Sequence, residues 1–379
     1  MRKSVVIAGY ARSPFQLAHK GALAKVRPDH LAAQVIAALV ERSGVPADDI
    51  EDLIVGCAFP EGEQGMNVAR LIGFLGNLPL SVAGTTVNRF CGSSMQAIHM
   101  AAGAIQMNAG EVFLCAGVES MTRIPMGGFN PMPNPALLQR YPQAFASMGE
   151  TAENLAKSHE IPRRRQEEFA VGSQKKAAAA QAACKFAEEI VPITGKAGTV
   201  ARDGCPRPDT TLEALAELKL AFDEKGTVTA GTSSPLTDGA AATLVCSEEY
   251  ARKKGLSPLA RIKSIATSGC GPEVMGIGPV LATRKALARA GLELAAIDVI
   301  ELNEAFAAQA LACIDELGLD PEKVNLDGGA IALGHPLGAT GARITGKAAA
   351  LLAREGKRYA LATQCIGGGQ GIATILEAV

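Results

Sequence analysis

One pattern occurs twice in this chain, and it limits the fold more than any other feature. Ala38-Leu39 runs to Gly44 and on to Ile50-Glu51-Asp52-Leu53-Ile54. Far downstream, Ala286-Leu287 runs to Gly291 and on to Ile297-Asp298-Val299-Ile300-Glu301. In both copies six positions separate the glycine from the isoleucine. Each copy reads as a helix, a C-terminal glycine stop and a strand. Helix–glycine–strand is common, and one short match can arise by chance. The copies lie early in each half, so a duplicated architecture is the reading.

The apolar runs fill in the rest. Ser4 to Ala8, ending at Gly9, reads as a buried strand, as do Asp52 to Val55, Val112 to Ala116 and Ala241 to Cys246. His30 to Arg42 has helical spacing. Strands alternating with helices predict an α/β fold with a largely parallel sheet. The character changes between the halves. Ile124 to Pro142 is rich in proline, Thr151 to Ala183 is polar and helical, and Gly195 to Pro208 is loop-like. Residues from about Thr122 to Pro235 read as an excursion inserted into the first half, and long excursions in compact domains are usually functional. The expected division is 1–121 with 236–258, 122–235, and 259–379.

Composition narrows the function. The 379 residues carry a net charge of −1, so no basic field recommends nucleic acid as a partner. Aromatic residues make up 4% and Trp is absent, which leaves few stacking platforms. The nine cysteines are scattered with no C-x-x-C pair. That speaks against a disulfide framework and a zinc site and for a reducing compartment. The apolar run before Gly9 is too short for a signal peptide, and no uncharged apolar run reaches the length of a membrane span. A cytoplasmic protein is expected.

Four stretches concentrate reactive and small residues. In Thr86-Val87-Asn88-Arg89-Phe90-Cys91-Gly92-Ser93-Ser94, a strand-like run ends at Cys91 and a helix follows. A thiol there meets free N–H groups and the positive end of the helix dipole, which favour thiolate. The ordinary reading of a Cys inside an apolar run is an inert core residue, and Cys57, Cys115, Cys246 and Cys313 receive it. His335 sits among glycines in Gly334-His335-Pro336-Leu337-Gly338. A lone His is more often structural, but this setting and a candidate Cys elsewhere favour a Cys–His pair. His19, His30, His99 and His159 read as surface or helix-packing residues. Cys365 precedes Ile366-Gly367-Gly368-Gly369. It fits either an acid/base beside an anion hole or an incidental thiol before a glycine hairpin. Asn303-Glu304 follows a buried strand, where α/β sites form, and a helix cap reads equally well.

In this order and at these separations, Asn88-Arg89-Phe90-Cys91-Gly92-Ser93, Asn303-Glu304-Ala305-Phe306, Gly334-His335-Pro336 and Cys365-Ile366-Gly367 resemble the signatures of the thiolase family. Gly117-Val118-Glu119-Ser120-Met121 and Gly226-Thr227-Val228-Thr229-Ala230-Gly231 match as well, so the resemblance covers essentially the whole chain. It implies a five-layered αβαβα fold of two similar halves, with the excursion as a loop domain over the coenzyme A site. It further implies an acyl-CoA acyltransferase that cleaves or forms 3-ketoacyl-CoA. His335 would deprotonate the nucleophile Cys91, and Cys365 would be the second acid/base. His335 and a water held by Asn303 would stabilise the enolate. The N–H groups of Cys91 and Gly367 would hold the tetrahedral oxyanion.

The resemblance also implies acyl-CoA and CoA as substrates with no permanent cofactor. Ser234 matches the serine that contacts the pantetheine arm, and Met148 lies in the same region. Lys219 stands where many members carry Arg near the adenine nucleotide. Lys keeps the charge but lacks the flat stacking surface. The run Arg163-Arg164-Arg165 is read as a solvated helix start rather than a phosphate site. Acetoacetyl-CoA-forming members usually carry His where Ser147 precedes Met148-Gly149, so longer or varied acyl chains are expected. At least a homodimer is implied, with a dimer favoured over a tetramer, and a multifunctional β-oxidation partner is known for some members. An acetoacetyl-CoA-specific acetyltransferase is the nearest alternative. A ketosynthase-type enzyme lacks the second cysteine. A non-catalytic acyl-CoA or lipid carrier should have lost Cys91, His335 or Cys365. A redox sensor would want a resolving cysteine near Cys91.

Overall fold

A computed structural model describes residues 3–379. The two copies of the repeated pattern occupy matching places in it. The first half runs β1 (Val5–Arg12), β2 (Gln16–Leu17), α1 (Pro28–Ser43), β3 (Asp52–Gly56), α2 (Val68–Leu75), β4 (Ala83–Val87), α3 (Ser93–Gln106) and β5 (Val112–Ser120). An excursion follows with α4 (Pro135–Arg140), α5 (Met148–Ser158), α6 (Arg163–Ala182), β6 (Ile193–Gly195), β7 (Gly198–Val200) and α7 (Leu212–Ala216). The chain returns as β8 (Thr237–Ser247) and α8 (Glu248–Lys254). The second half runs β9 (Ala260–Gly269), α9 (Gly278–Ala290), β10 (Val299–Leu302), α10 (Ala307–Leu317), α11 (Ala330–Leu333), α12 (Leu337–Glu355), β11 (Tyr359–Ile366) and β12 (Gln370–Glu377).

Gly44 and Gly291, the stops of α1 and α9, both take left-handed backbone with φ of 69° and 66°. The strands that follow them, β3 and β10, also correspond. β3 pairs in parallel with β5 and β4, and β10 pairs in parallel with β11. Where β4 would lie, β10 has a single parallel bridge, Ile300 to Val324. The strand order is β10-β11-β12-β9-β1-β8-β5-β3-β4, and the halves join where Val6 and Ile7 pair with Arg261 and Ala260. The sheet is mixed, not largely parallel. β5–β8, β8–β1, β1–β9, β9–β12 and β12–β11 are all antiparallel. Only the helical crossovers enforce parallel pairing; β11 and β12 are joined by a tight turn instead.

Helices α1 and α2 cover one outer face around Leu31, Ile36, Leu39 and Ile72. Helix α9 covers the other around Val280 and Ala286, with α10 adding Ala310 and Ile314. Helices α3 and α12 form the middle layer between the two half-sheets, giving five layers. A middle helix has no solvent face, so α12 is buried nearly all round. Small residues let it approach closely. A Cβ at Gly341 would meet the Met95 backbone nitrogen at 2.3 Å, and one at Gly117 would meet the Gly338 carbonyl at 2.1 Å.

Several elements differ from the sequence reading. β1 continues through Gly9 to Arg12 with a register shift between Ile7 and Gly9. There the missing side chain makes room for Leu39, 2.9 Å from where a Cβ would stand. The polar stretch after Thr151 is two helices, α5 and α6, parted by Glu160 with φ of 51° and by Pro162. The loop-like Gly195–Pro208 segment holds β7. The excursion spans both halves. Arg12 of β1 binds Asp203 at 2.7 Å and Glu189 at 2.8 Å, while Ser173 of α6 donates to Glu304 at 2.7 Å. Arg163 caps the carbonyls of Leu215, Ala216 and Leu218, and Arg164 and Arg165 pair with Glu168 and Asp315. The arginine run is therefore a helix start with its charges engaged.

Candidate active site

The site forms where the turns of the two halves meet above the middle layer. β4 ends at Val87, earlier than the sequence reading had it, and residues 88–92 make the turn into α3. Phe90, one residue before Cys91, has φ of 41°. The turn is held by the Ser93 hydroxyl, which donates to the Phe90 carbonyl, and by the Asn88 side chain, which accepts from the Phe90 N–H. Cys91 thus sits at the N-terminus of α3, as predicted, and is 9% exposed.

The second half supplies the opposite wall. β11 runs through Cys365 to Ile366, so this thiol lies within the strand, and Gly367 to Gly369 form the tight turn into β12. That turn aims the Gly367 N–H at the Cys91 sulfur, alongside the N–H of Cys91 itself. Gln364 donates its amide to the Cys91 carbonyl. Cys365 is fully buried among Ala152, Val228, Ala305 and Phe306, with Met148 packed on that cluster.

His335 and Asn303 make the third group. Asn303 follows β10 and is fully buried; α10 starts only after Phe306, so Asn303 is not a helix cap. Its Nδ2 lies 3.4 Å from Nε2 of His335. Nδ1 of His335 lies 2.6 Å from the Thr340 hydroxyl, which donates onward to the Pro336 carbonyl. That chain assigns the proton to Nδ1 and leaves a lone pair on Nε2. Thr237 accepts from the His335 N–H. Oδ1 of Asn303 and Oε1 of Gln364 are buried without a partner. Two orphaned acceptors beside reactive groups provide the partners an incoming water or substrate needs.

Leu337 and Met121 join Cys91 in one apolar cluster, which ties the His335 loop to the nucleophile. No hydrogen bond links Cys91 to His335 among the described residues; ligand-free sites are often loose in this way. Burial pushes the Cys91 thiol up to about 11, against the pull of the Gly367 N–H. Burial, then Arg343, pushes His335 down to about 3. Burial, then the neighbouring Cys91, holds Cys365 well above the usual thiol range. The resting site is therefore a neutral thiol beside a neutral imidazole. The helix dipole, which by itself favours thiolate, is outweighed by desolvation.

The residues predicted to bind CoA lie at the start of α5 and between α7 and β8. Met148 is beside Gly367, 3.6 Å from where its Cβ would stand. Phe222 stacks edge-on against Phe306 at 5.8 Å. The Ser234 N–H donates to the Ala305 carbonyl, and Lys219 is exposed. Ser147 caps α5 in a reciprocal pair with Glu150. Glu119 escaped the sequence reading as a site residue. Buried at the end of β5, it accepts from the N–H groups of Ala58, Phe59 and Gly338 and from the Gln64 amide, at 2.8 to 3.2 Å. It clamps the loop after β3 to the start of α12. A carboxylate inside an otherwise apolar strand was its signal.

Comparison with known proteins agrees with this fold. The family model described as thiolase, N-terminal domain, matches residues 5–249, and that described as thiolase, C-terminal domain, matches residues 256–378. The chain belongs to the thiolase family. The 3-ketoacyl-CoA thiolase of Bacillus subtilis (strain 168) is 46% identical, with all of each chain covered. That of Saccharophagus degradans is 49% identical, covering 100% of this chain and 99% of its own. The crystal structure of the Bacillus anthracis acetyl-CoA acetyltransferase superposes with a TM-score of 0.92 at 40% identity, covering 100% of this chain and 99% of the other.

Proposed function

We propose that this chain is a 3-ketoacyl-CoA thiolase, transferring the acyl group of a 3-ketoacyl-CoA to CoA through an acyl-Cys91 intermediate. One observation carries the roles: the Gly367 N–H and Cys365 of the second half meet Cys91 of the first, and His335, paired with Asn303, stands on the loop that packs on Cys91 through Leu337. Nε2 of His335 takes the Cys91 proton as the sulfur attacks the keto carbon. The new oxyanion meets the N–H groups of Cys91 and Gly367. The bond between C2 and C3 breaks, and its electron pair forms the enolate of acetyl-CoA. Asn303, through a water, and His335 face the thioester oxygen of that enolate. Cys365 donates its proton to C2, and acetyl-CoA leaves. The thiol of the incoming CoA returns a proton to Cys365, attacks acyl-Cys91, and Cys91 regains its proton from His335. Condensation runs the same steps in reverse.

The neutral resting pair supports this order, since a thiol pushed up to about 11 has to lose its proton during attack rather than before it. Met148, Ser234 and Lys219 are assigned to the CoA arm, from the thiol end outward. Residues 122–235 are taken as the loop domain, inserted between 1–121 and 236–258 and facing 259–379. A homodimer, a cytoplasmic location and a preference for acyl chains longer than acetoacetyl complete the reading. No helix among the described residues is long and apolar enough to cross a membrane. The test is thiolysis of acetoacetyl-CoA and of longer 3-ketoacyl-CoAs, wild type beside Cys91→Ala. Turnover by wild type alone, with trapped acyl-enzyme on Cys91, is expected. A folded wild type without turnover favours a non-catalytic acyl-CoA binder.

A further inference from the structure

Beneath Asn303, which follows β10, and His335, which precedes α12, a second contact joins that strand to that helix. Glu301 precedes Asn303 by two positions, so both side chains leave that segment on one face. Arg343 follows Thr340 by three positions on α12, again on one face. Nη1 of Arg343 donates to Oε2 of Glu301 at 2.8 Å, with the two side chains 2% and 0% exposed. The upper rung is Asn303 to His335, braced by Thr340; the lower rung is Glu301 to Arg343.

We propose that Glu301 and Arg343 are positioning residues for the thiolase reaction: their buried ion pair sets the spacing between Asn303 and His335 on which the enolate oxygen depends. The inference rests on the proposed function. Stability alone is a poor reason for the pair. Buried ion pairs are often no better than apolar residues of the same volume. This pair is also incompletely satisfied: Nε and Nη2 of Arg343, Oε1 of Glu301 and the neighbouring Tyr10 hydroxyl are all buried without partners. Such a cluster is a site for ordered water. The pair also supplies the field at the site. Of the groups facing His335, Thr340 and Arg343 come from α12, Asn303 from the end of β10 and Thr237 from β8; Arg343 alone is charged. Arg343 is faced in turn by Glu301, by Tyr10 from β1 and by Glu304.

The test compares wild type with the double variant Glu301→Met/Arg343→Met, with Arg343→Lys and with Glu301→Gln. Thiolysis and the pH dependence of Cys91 alkylation by iodoacetamide are measured on each. For the Met pair, the expected result is an unchanged melting temperature and a kcat loss of ~10-fold or more, with KM held within ~3-fold. Its alkylation profile should also shift, because His335 no longer faces a cation; Arg343→Lys should restore that profile without restoring kcat. A folded Met pair with wild-type kcat and profile overturns the proposal. Should the Met pair not fold, Glu301→Gln decides, since it keeps an acceptor for Arg343: wild-type kcat at pH 8 overturns the proposal, and a fall of ~3-fold or more at constant KM supports it. Absence of turnover in wild type would defeat the proposed function instead, while the alkylation profiles would still report on the pair.

Discussion

Nδ2 of Asn303 and Nε2 of His335 stand 3.4 Å apart across the gap between β10 and α12, and Oδ1 of the same Asn303 is left without a partner. One amide therefore both orients the imidazole and keeps an acceptor free for a water. Truncation removes both functions. Asn303→Ala should lower kcat for thiolysis by ~10²- to 10³-fold with little change in KM, as loss of an oxyanion donor does. Steady-state kinetics on a 3-ketoacyl-CoA check this. A change confined to KM would mean that Asn303 serves binding only.

Cys91 is held as a thiol by burial, with its pKa near 11, and His335 is held neutral near 3. The thiolate fraction of the free enzyme should therefore keep growing as pH rises from 7 to 10. Alkylation of Cys91 by iodoacetamide should accelerate across that whole range. A rate that levels off below pH 8 would show a preformed thiolate–imidazolium pair.

Glu119 accepts hydrogen bonds from four N–H donors and, at 3.7 Å, from the Cys57 thiol while fully buried. Glu119→Ala leaves the N–H groups of Ala58, Phe59 and Gly338 without a partner, while the Gln64 amide keeps the Phe59 carbonyl, and should cost about 3 kcal/mol or more. Glu119→Gln should be no gentler, because its NH₂ group adds two donors to a site made of donors. Denaturant unfolding of both variants provides the measurement. A loss under about 1 kcal/mol in each would mean that water replaces the carboxylate.

Burial pushes Glu301 up from 4.5 to about 7. The folded chain therefore binds a proton that the unfolded chain has released between those values. Stability from this group is complete below pH 4.5 and is lost as pH climbs toward 7, by about 3 kcal/mol. Unfolding free energies at pH 5 and pH 7.5 should fall more steeply with pH in wild type than in Glu301→Gln. Equal slopes would place the Glu301 titration outside this window.

Much of this architecture can be read from the chain without coordinates, because local chemistry sets it. The glycine stops at Gly44 and Gly291 and the apolar runs of β1, β3, β5 and β8 need only backbone conformation and hydrophobicity. The cysteine at the start of α3, the histidine among glycines and the Cys-x-Gly segment were visible as residue types in unusual settings. Their order along the chain carried the resemblance to the thiolases.

What the chain could not declare alone depends on contacts between distant segments. Antiparallel pairing of β8 with β1 and of β12 with β9 joins segments far apart in the chain within each half, and that of β1 with β9 depends on how the halves dock. The ends of β4 and β11 are set by the Phe90 turn and by a glycine turn whose amide faces a sulfur from the other half. Glu119 and the Glu301–Arg343 pair are ordinary charges in sequence; they become a clamp and a buried rung only when β5, β10 and α12 come together. The protonation states were equally hidden. A helix N-terminus favours thiolate, but enclosure by both halves removes the water that would stabilise it, and desolvation outweighs the dipole. Residue identity determined which groups are present, and only the tertiary packing decided which of them meet and in which ionisation state.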